Sequence, residues 1–348
     1  MTNGDASFPL LRLPHDETLR VLKSMGTFEI ILFSLSTKKS KILVESVGLN
    51  PRSGANILIC NGIDVYITLP NQSHPQWTFY RNEFQNRQPN KAPMNVAVPG
   101  SVTFSCDGQS YDFTGIPLTL KEWIDHIKAI FHTPEVHQLW FQNDEGFFNI
   151  ESIRDAVGKM DSVEITSPGT NEQNQEKMKA FLHRKNISLG NDVWQARKPP
   201  GSVLIQNFDT LEVGHSGDTS SMTLDDLILM NGKWIYSAIN KFTEKDMNRY
   251  IKLWIRRRGN DKMEQMIVQV ATQEGWLNKS DVLKGIQYQE VNIDQKRWFK
   301  CSTEEQNIWP IEGGYDIMRR DGTRATVLFE EEWVEMYVWH DYCIVNKE

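Results

Sequence analysis

Histidines and cysteines are the residues of this sequence that could carry out chemistry. They include two groups whose members are only a few positions apart in the sequence. His126, His132 and His137 suggest a metal site, because imidazole is a common metal ligand. They fall across a predicted helix, a loop and a strand, without Cys or carboxylate partners at ligand spacing. We therefore expect structural or surface histidines, and we predict neither a metal nor a cofactor.

The second group is His340, Asp341 and Cys343, which resemble a base and a nucleophile in composition. Successive residues of a strand point to opposite faces, so these neighbours would be separated. The sequence contains no glycine-rich phosphate loop, Ser-His-Asp order or recognisable acid–base pair of carboxylates. We predict a protein without catalytic residues. An enzyme built on an α/β portion is an alternative, and it would need a deep pocket with convergent polar groups.

Composition limits the classes of partner. The chain has 348 residues, 39% hydrophobic and 24% charged, so most of it should fold, in more than one unit. A net charge of -7 argues against a nucleic-acid partner, and the run 256–258 of arginines is explained as cations at a helix C-terminus. No apolar run is long enough to predict a membrane span, and four scattered cysteines predict reduced thiols in the cytoplasm and/or the nucleus.

The elements begin with a helical block. Leu19, Leu22 and Met25 recur at helical spacing, residues 28–35 repeat the pattern after Gly26, and a third helix is predicted over Lys38–Val47. A block of about this length cannot bury two apolar helices by itself. We therefore expect part of their surface to contact another protein. Core helices of one larger domain would give the same periodicity, which does not decide between the two interpretations.

The sequence that follows the helical block predicts two hairpins separated by a loop. Residues 55–69 alternate around Asn61-Gly62, and residues 102–113 flank Asp107-Gly108. Residues 70–99, rich in Asn, Gln and Pro, predict a long surface loop.

From residue 117 onward, helical and strand patterns alternate, which favours a βα-repeat solenoid. The predicted pairs of helix and strand are 119–130 with 136–141, 150–160 with 163–165, 172–184 with 203–206, 224–230 with 234–237, and 243–258 with 266–270. Residues 187–201 are predicted to be an insertion, and the tail over residues 288–343 to be β, with a turn at Asp321-Gly322.

Two parts of the sequence resemble a known family. In the first block, Leu13-Pro14, Asp16-Glu17, Val21-Leu22 and the run 28–36 match the F-box in order and spacing. Residues 222–231 (MTLDDLILMN) and 243–255 (TEKDMNRYIKLWI) resemble the F-box associated domain, type 2, which accompanies F-boxes in a large nematode family. Residues 315–326 and 337–341 are similar to the tail that follows this domain.

The resemblance implies a substrate adaptor of a Skp–cullin–F-box ubiquitin ligase. Its F-box would bind a Skp-type adaptor, and through it a cullin, while the remainder binds an unidentified target protein and other subunits perform the chemistry. The residues that the resemblance assigns to the adaptor interface are Leu13, Pro14, Leu22, Phe28, Ile31 and Leu35. Where the motif commonly ends in Ser-Lys and an aromatic residue, this chain has TKKS at 37–40, which puts the third helix's contribution in question.

The expected fold is therefore α+β or α/β. A short all-helical F-box at residues 1–50 is followed by hairpins and a loop at 51–116. A leucine-rich-repeat-like α/β region at 117–345 then contains the associated domain at about 203–270 and a β tail at about 286–343. The alternative to the ligase role is an interaction scaffold whose F-box is degenerate and binds no adaptor.

Overall fold

The computed structural model describes residues 10–86, 92–142, 146–166, 171–181, 183, 185–190, 193–194, 196–214, 220–272, 276–303 and 308–345. Some predicted segments lie partly outside them: residues 1–9 of the F-box block, 87–91 of the loop, 182 and 184 of a helix, 191–192 and 195 of the insertion, and 304–307 of the tail. Contacts divide the chain into two compact units, Met1–Asp161 and Ser162–Glu348. The division at 1–50, 51–116 and 117–345 stays a prediction.

Unit 1 begins with the predicted helical block. After a 3₁₀ turn at Leu10–Arg12 come α1 (His15–Ser24), α2 (Thr27–Ser34) and α3 (Lys38–Val47). Pro14 precedes α1, and Asp16 and Glu17 lie in its first turn, where carboxylates complement the helix dipole.

The sheet of unit 1 follows these helices. Its strands and helices are β1 (Ala55–Ile59), β2 (Ile63–Tyr66), β3 (Gln76–Phe79), α4 (Arg81–Gln85), β4 (Ser101–Cys106), β5 (Gln109–Thr114), α5 (Leu120–Ile130), β6 (Val136–Phe141) and α6 (Ile150–Val157). The strand order is β6-β1-β2-β3-β4-β5, with β1 and β6 parallel and the other pairs antiparallel. Thr119 and Glu122 form the predicted capping box of α5.

Both predicted hairpins are confirmed, because β1 pairs with β2 and β4 with β5. Asp107 and Gly108 have φ angles of 51° and 80°, as expected in a two-residue hairpin turn. The prediction of a loop over 70–99 is wrong for β3 and α4. Trp77 and Phe79 are buried at 1% and 0% exposure, and a sequence rich in Asn, Gln and Pro concealed this two-residue alternation.

Unit 2 alternates strands and helices before its β tail. Its elements are β7 (Met160–Ile165, which begins at the end of unit 1), α7 (Asn171–Phe181), β8 (Asn186–Leu189), α8 (Gly201–Leu204), β9 (Phe208–Val213), α9 (Leu224–Leu229), β10 (Gly232–Phe242), α10 (Glu244–Ile255), β11 (Gln265–Val270), α11 (Lys279–Val282), β12 (Tyr288–Glu290), β13 (Lys296–Lys300), β14 (Ile308–Glu312), β15 (Tyr315–Met318), β16 (Arg324–Glu330), β17 (Trp333–Val338), a 3₁₀ turn at Asp341–Cys343 and β18 (Ile344–Val345).

The larger sheet of unit 2 joins parallel strands to an antiparallel tail. Strands β7 to β11 are parallel in chain order, and β17, β16, β15 and β12 then follow β11 with antiparallel pairing. Strands β14, β13 and β18 form a small second sheet. A mixed α/β fold is thus confirmed, while the leucine-rich-repeat-like arrangement stays a prediction.

Two predictions for unit 2 are wrong. The strand predicted at 203–206 is the short helix α8, and the neighbouring β9 was not predicted. The predicted insertion at 187–201 contains most of β8, whose Ile187 and Leu189 are buried. Both errors have one cause. A run of only a few apolar residues is too short to show whether the apolar positions repeat with a helical or a strand period. Within the described residues, no helix is both long and apolar enough to cross a bilayer.

Candidate interaction surface

Helices α1, α2 and α3 of unit 1 form the candidate interaction surface, which we call the helical face. Helix α3 packs against α1 and α2. The buried apolar side chains, with exposures between 0% and 5%, are Leu22, Ile30, Ile31, Leu43 and Val44, and the polar Thr18, Ser34 and Ser40 are buried with them. The sequence explains where α3 starts, because Thr37 and Ser40 cap it reciprocally, so the departure from the F-box pattern at 37–40 still gives a well-formed third helix.

Three of the described contacts between side chains or with a carbonyl oxygen show how the helical face joins the rest of unit 1. The rings of Phe28 in α2 and Phe104 in β4 are stacked with centroids 5.2 Å apart. His132 Nε2 donates to the carbonyl oxygen of Glu45 at the end of α3, at 2.7 Å. These contacts fix α2 and α3 against the rest of unit 1 and leave less apolar surface uncovered than an isolated helical block would have.

The third contact is a hydrogen bond between His126 of α5 and Ser34 of α2, whose Nε2 and Oγ lie 2.8 Å apart. The Ser34 hydroxyl donates to the carbonyl of Ile31 at 2.6 Å, so the imidazole acts as the donor to Oγ. Burial, with a smaller effect from Lys41, lowers the pKa of His126 to about 4. His126 is therefore a neutral structural residue at neutral pH.

The six residues assigned to the adaptor interface fall into two classes. Leu22 and Ile31 are 0% and 1% exposed, so they belong to the core of unit 1, and a partner cannot touch them while the helices keep this packing. For these two residues, the expectation that the chain leaves the apolar side of the helices uncovered is wrong. Pro14 is exposed, and Leu13, Phe28 and Leu35 are half-buried. Contact between these four and an adaptor stays a prediction.

The helical face also exposes two apolar residues that the sequence argument did not select. Ile42 of α3 is 60% exposed and Val21 of α1 is 36% exposed. The sequence contained a pattern from which the exposure of Ile42 could have been predicted. Leu43 and Val44 are buried at the next two positions, and an apolar residue on the opposite side of an amphipathic helix faces solvent.

The remaining candidate groups are engaged elsewhere. His137 Nδ1 lies 3.4 Å from an Asp161 oxygen, away from the partners of His126 and His132. Among the described residues, no group of three or more His, Cys, Asp or Glu side chains is placed to hold a metal ion. In unit 2, His340 Nε2 donates to the carbonyl of Met263 at 3.0 Å, and burial raises the pKa of the Cys343 thiol to about 12. Cys343 is therefore a protonated core thiol, unsuited to nucleophilic attack.

In unit 2, α10 shows why residues 243–255 have a recognisable pattern. Thr243 and Asp246 form its capping box, and its buried face consists of Met247, Tyr250, Ile251 and Trp254. The cap fixes the start of the helix, and the buried spacing fixes the face that packs on the sheet. The predicted N-terminal capping role of residues 243–246 is confirmed.

The comparisons with known proteins first give a class. Residues 200–268 match the family model described as F-box associated, a segment that runs from α8 into β11. Residues 200–268 are therefore similar to an F-box associated domain, and the resemblance found in the sequence of residues 222–255 is confirmed.

A particular relative is similar over most of the chain. The chain is 21% identical over 324 residues to the F-box associated domain-containing protein sdz-33 of Caenorhabditis elegans, and the alignment covers 93% of this chain and 94% of that protein. No solved structure matches the chain.

Proposed function

We propose that this protein is a non-catalytic substrate-recognition adaptor of a Skp–cullin–F-box ubiquitin ligase. The helical face binds a Skp-type adaptor and through it a cullin, and unit 2 binds the target protein. The observation that carries the proposal is the apolar surface left on the helical face of a chain whose residues 200–268 are similar to an F-box associated domain. Four free cysteines fit work in the cytoplasm and/or the nucleus.

The anchors of this interface are the exposed and half-buried apolar residues. Ile42 and Val21 stand in solvent, while Leu13 and Leu35 are partly covered at the edges of the helices. Apolar anchors surrounded by polar residues carry most of the energy of a protein interface. Leu22 and Ile31 support these anchors from below by holding the helices together.

The buried thiols give no support to catalysis by a cysteine nucleophile. Burial raises the pKa of Cys106, Cys301 and Cys343 to about 12 in each case, so all three are protonated at neutral pH. In this role the ligase chemistry takes place on other subunits.

The test is co-purification of a Skp-type adaptor with the full chain. The double variant Leu13→Ala with Pro14→Ala should abolish recovery of the adaptor. Both side chains are at least partly exposed, so the circular dichroism spectrum and melting temperature should stay close to wild type. Ile205→Ala is a matched control, since Ile205 is an apolar residue of unit 2 with 51% exposure. Full recovery of the adaptor by the double variant would refute the assignment.

The scaffold alternative predicts a different outcome in the same experiment. If the F-box is degenerate and binds nothing, the wild-type chain should also fail to recover a Skp-type adaptor. Recovery by wild type and by Ile205→Ala, with loss in the double variant, separates the two functions.

A further inference from the structure

Unit 2 contains an open groove at one end of its sheet, with a volume of about 690 Å³. It lies where β12 ends, β15 begins and β16 ends. Tyr315 and Phe329 contribute aromatic surface, and three glutamates, Glu290, Glu312 and Glu330, stand around it. We call this cavity the carboxylate groove. It lies outside residues 200–268, which match the F-box associated model.

The shape of the carboxylate groove is fixed by two consecutive glycines. Gly313 and Gly314 have φ angles of 64° and 96°, which side chains rarely tolerate. A Cβ atom on Gly314 would lie 2.7 Å from the Thr326 methyl carbon and 3.0 Å from the Val327 carbonyl oxygen. The backbone therefore approaches β16 as closely as it can, and the groove is already formed before a ligand binds.

The groove is negatively charged. Glu312 pairs with Lys296 at 2.7 Å, whereas the ion pairs of the described residues include none to Glu290 or Glu330, both of which are exposed. Among the described residues that line the cavity, Lys279 is the only basic one. Burial, together with the nearby Glu290 carboxylate, raises the pKa of Tyr315. Two carboxylates are therefore available to an incoming cation.

Aromatic rings lie beside these carboxylates. Tyr288 packs edge-on against Tyr315 with centroids 5.3 Å apart, and Tyr315 contacts Phe329 at 5.6 Å. Tyr288 is 49% exposed, so part of this row is accessible to a ligand. Aromatic faces attract the ammonium of Lys and the guanidinium of Arg, and their apolar surface also accommodates the aliphatic stems of those side chains.

We infer that the carboxylate groove binds an extended segment of a target protein in which Lys or Arg stands next to an apolar residue. One cation of the segment pairs with Glu290 and another with Glu330, and the stem of the first cation and the apolar neighbour pack on Tyr315 and Phe329. Strand β12 pairs with β15 and lies at the end of the sheet among the described residues, so its other edge faces the incoming chain. The identity of the occupant as a target rests on the proposed adaptor role.

The experiment measures binding of the full chain to short fluorescein-labelled peptides by fluorescence anisotropy. One peptide alternates lysine with valine, a second has glutamate in place of lysine, and a third has serine in place of valine. The lysine–valine peptide should bind most tightly, and the glutamate peptide should not bind. Glu290→Gln combined with Glu330→Gln should weaken the lysine–valine complex about tenfold, from two lost ion pairs.

The matched control is Glu172→Gln with Glu176→Gln, which removes two exposed carboxylates from α7 of the same unit and should leave the affinity unchanged. Equal affinity of wild type and the Glu290/Glu330 variant, or binding of the glutamate peptide, would overturn the inference. Recovery of the Skp-type adaptor is measured on the same variants. If the peptide results contradict the inference while the adaptor is still recovered, only the binding role of the groove is refuted. If the peptide binds as expected but the wild-type chain recovers no adaptor, only the adaptor role is refuted.

Discussion

The helical face and the carboxylate groove offer partners two different kinds of surface. The first exposes aliphatic side chains such as Ile42 on helices that are contiguous in sequence. The second combines carboxylates and aromatic rings drawn from residues between 279 and 330. Apolar contacts depend little on ionic strength, whereas contacts between exposed charges are screened by salt. The two surfaces should therefore respond differently to the same changes in sequence and in solvent.

The largest effect should come from the core beneath the helical face. Leu22→Ala removes a side chain with 0% exposure, and we expect the free energy of unfolding of unit 1 to fall by about 2–5 kcal/mol. Hydrogen–deuterium exchange of the backbone amides of α1, α2 and α3 at increasing urea concentrations measures the change within unit 1. Peptide binding by the groove in unit 2 should persist under native conditions.

Ile42→Ala is the matched control for this core variant, because it truncates an apolar residue of similar size that is 60% exposed. Its effect on unfolding should stay within about 0.5 kcal/mol. If the two variants lose similar amounts of unfolding free energy, Leu22 contributes no more to the stability of the helices than a surface residue does.

A second effect concerns the attachment of the helical face to α5 and depends on pH. His126 has a pKa of about 4 in the folded chain, against about 6.5 when unfolded, so the unfolded state binds the proton first on acidification. Its stabilising contribution is complete above pH 6.5 and is lost as the pH falls toward 4, by up to about 1.4 kcal/mol per pH unit. Urea unfolding of unit 1 across this range measures the slope.

The variant His126→Gln keeps a donor for Ser34 but has no titrating group. It should therefore lack this part of the pH dependence, while other acidic groups titrate as in wild type. Identical slopes for the two proteins between pH 6.5 and 4 would show that His126 is not held neutral by burial.

Much of the fold could be predicted because its signals are local. The capping box of Thr119 and Glu122, the turn at Asp107-Gly108 and the bounds of α3 each depend on residues a few positions apart. The short elements β3, β8 and α8 could not be predicted. Each has so few residues that tertiary packing, rather than its own sequence pattern, decides its structure.

The candidate sites show the same limit more sharply. Periodicity placed Leu22 and Ile31 on an apolar side but could not reveal that Phe104 and His126, distant in sequence, help to cover these helices. The carboxylate groove carried no motif, because Glu290 and Glu330 line one cavity only when β12, β15 and β16 pair. Sequence spacing alone therefore identified the helices but not which of their residues remain accessible.

A third prediction uses salt to separate the two surfaces. Raising the sodium chloride concentration to about 1 M shortens the screening length to about 3 Å. The lysine–valine peptide should lose affinity for the carboxylate groove several-fold, while capture of a Skp-type adaptor by the helical face should change little. Fluorescence anisotropy and pull-down in the same buffers measure both. Equal salt sensitivity would remove the distinction between a charged groove and an apolar face.

The smallest change in stability tests the helical face most directly. Ile42→Ser removes an exposed aliphatic side chain from α3 and should alter the free energy of unfolding by less than about 0.5 kcal/mol. If Ile42 is an anchor of the interface, the affinity for a Skp-type adaptor, measured by calorimetry, should still fall about tenfold, because an apolar anchor contributes more than 1 kcal/mol when buried by a partner. Ile205→Ser, which alters an exposed isoleucine of unit 2, should leave that affinity unchanged. Unaltered affinity in both variants would place the adaptor contact before the start of α1 and at the C-terminal end of α2, where Leu13 and Leu35 lie, and would make Ile42 an ordinary surface residue.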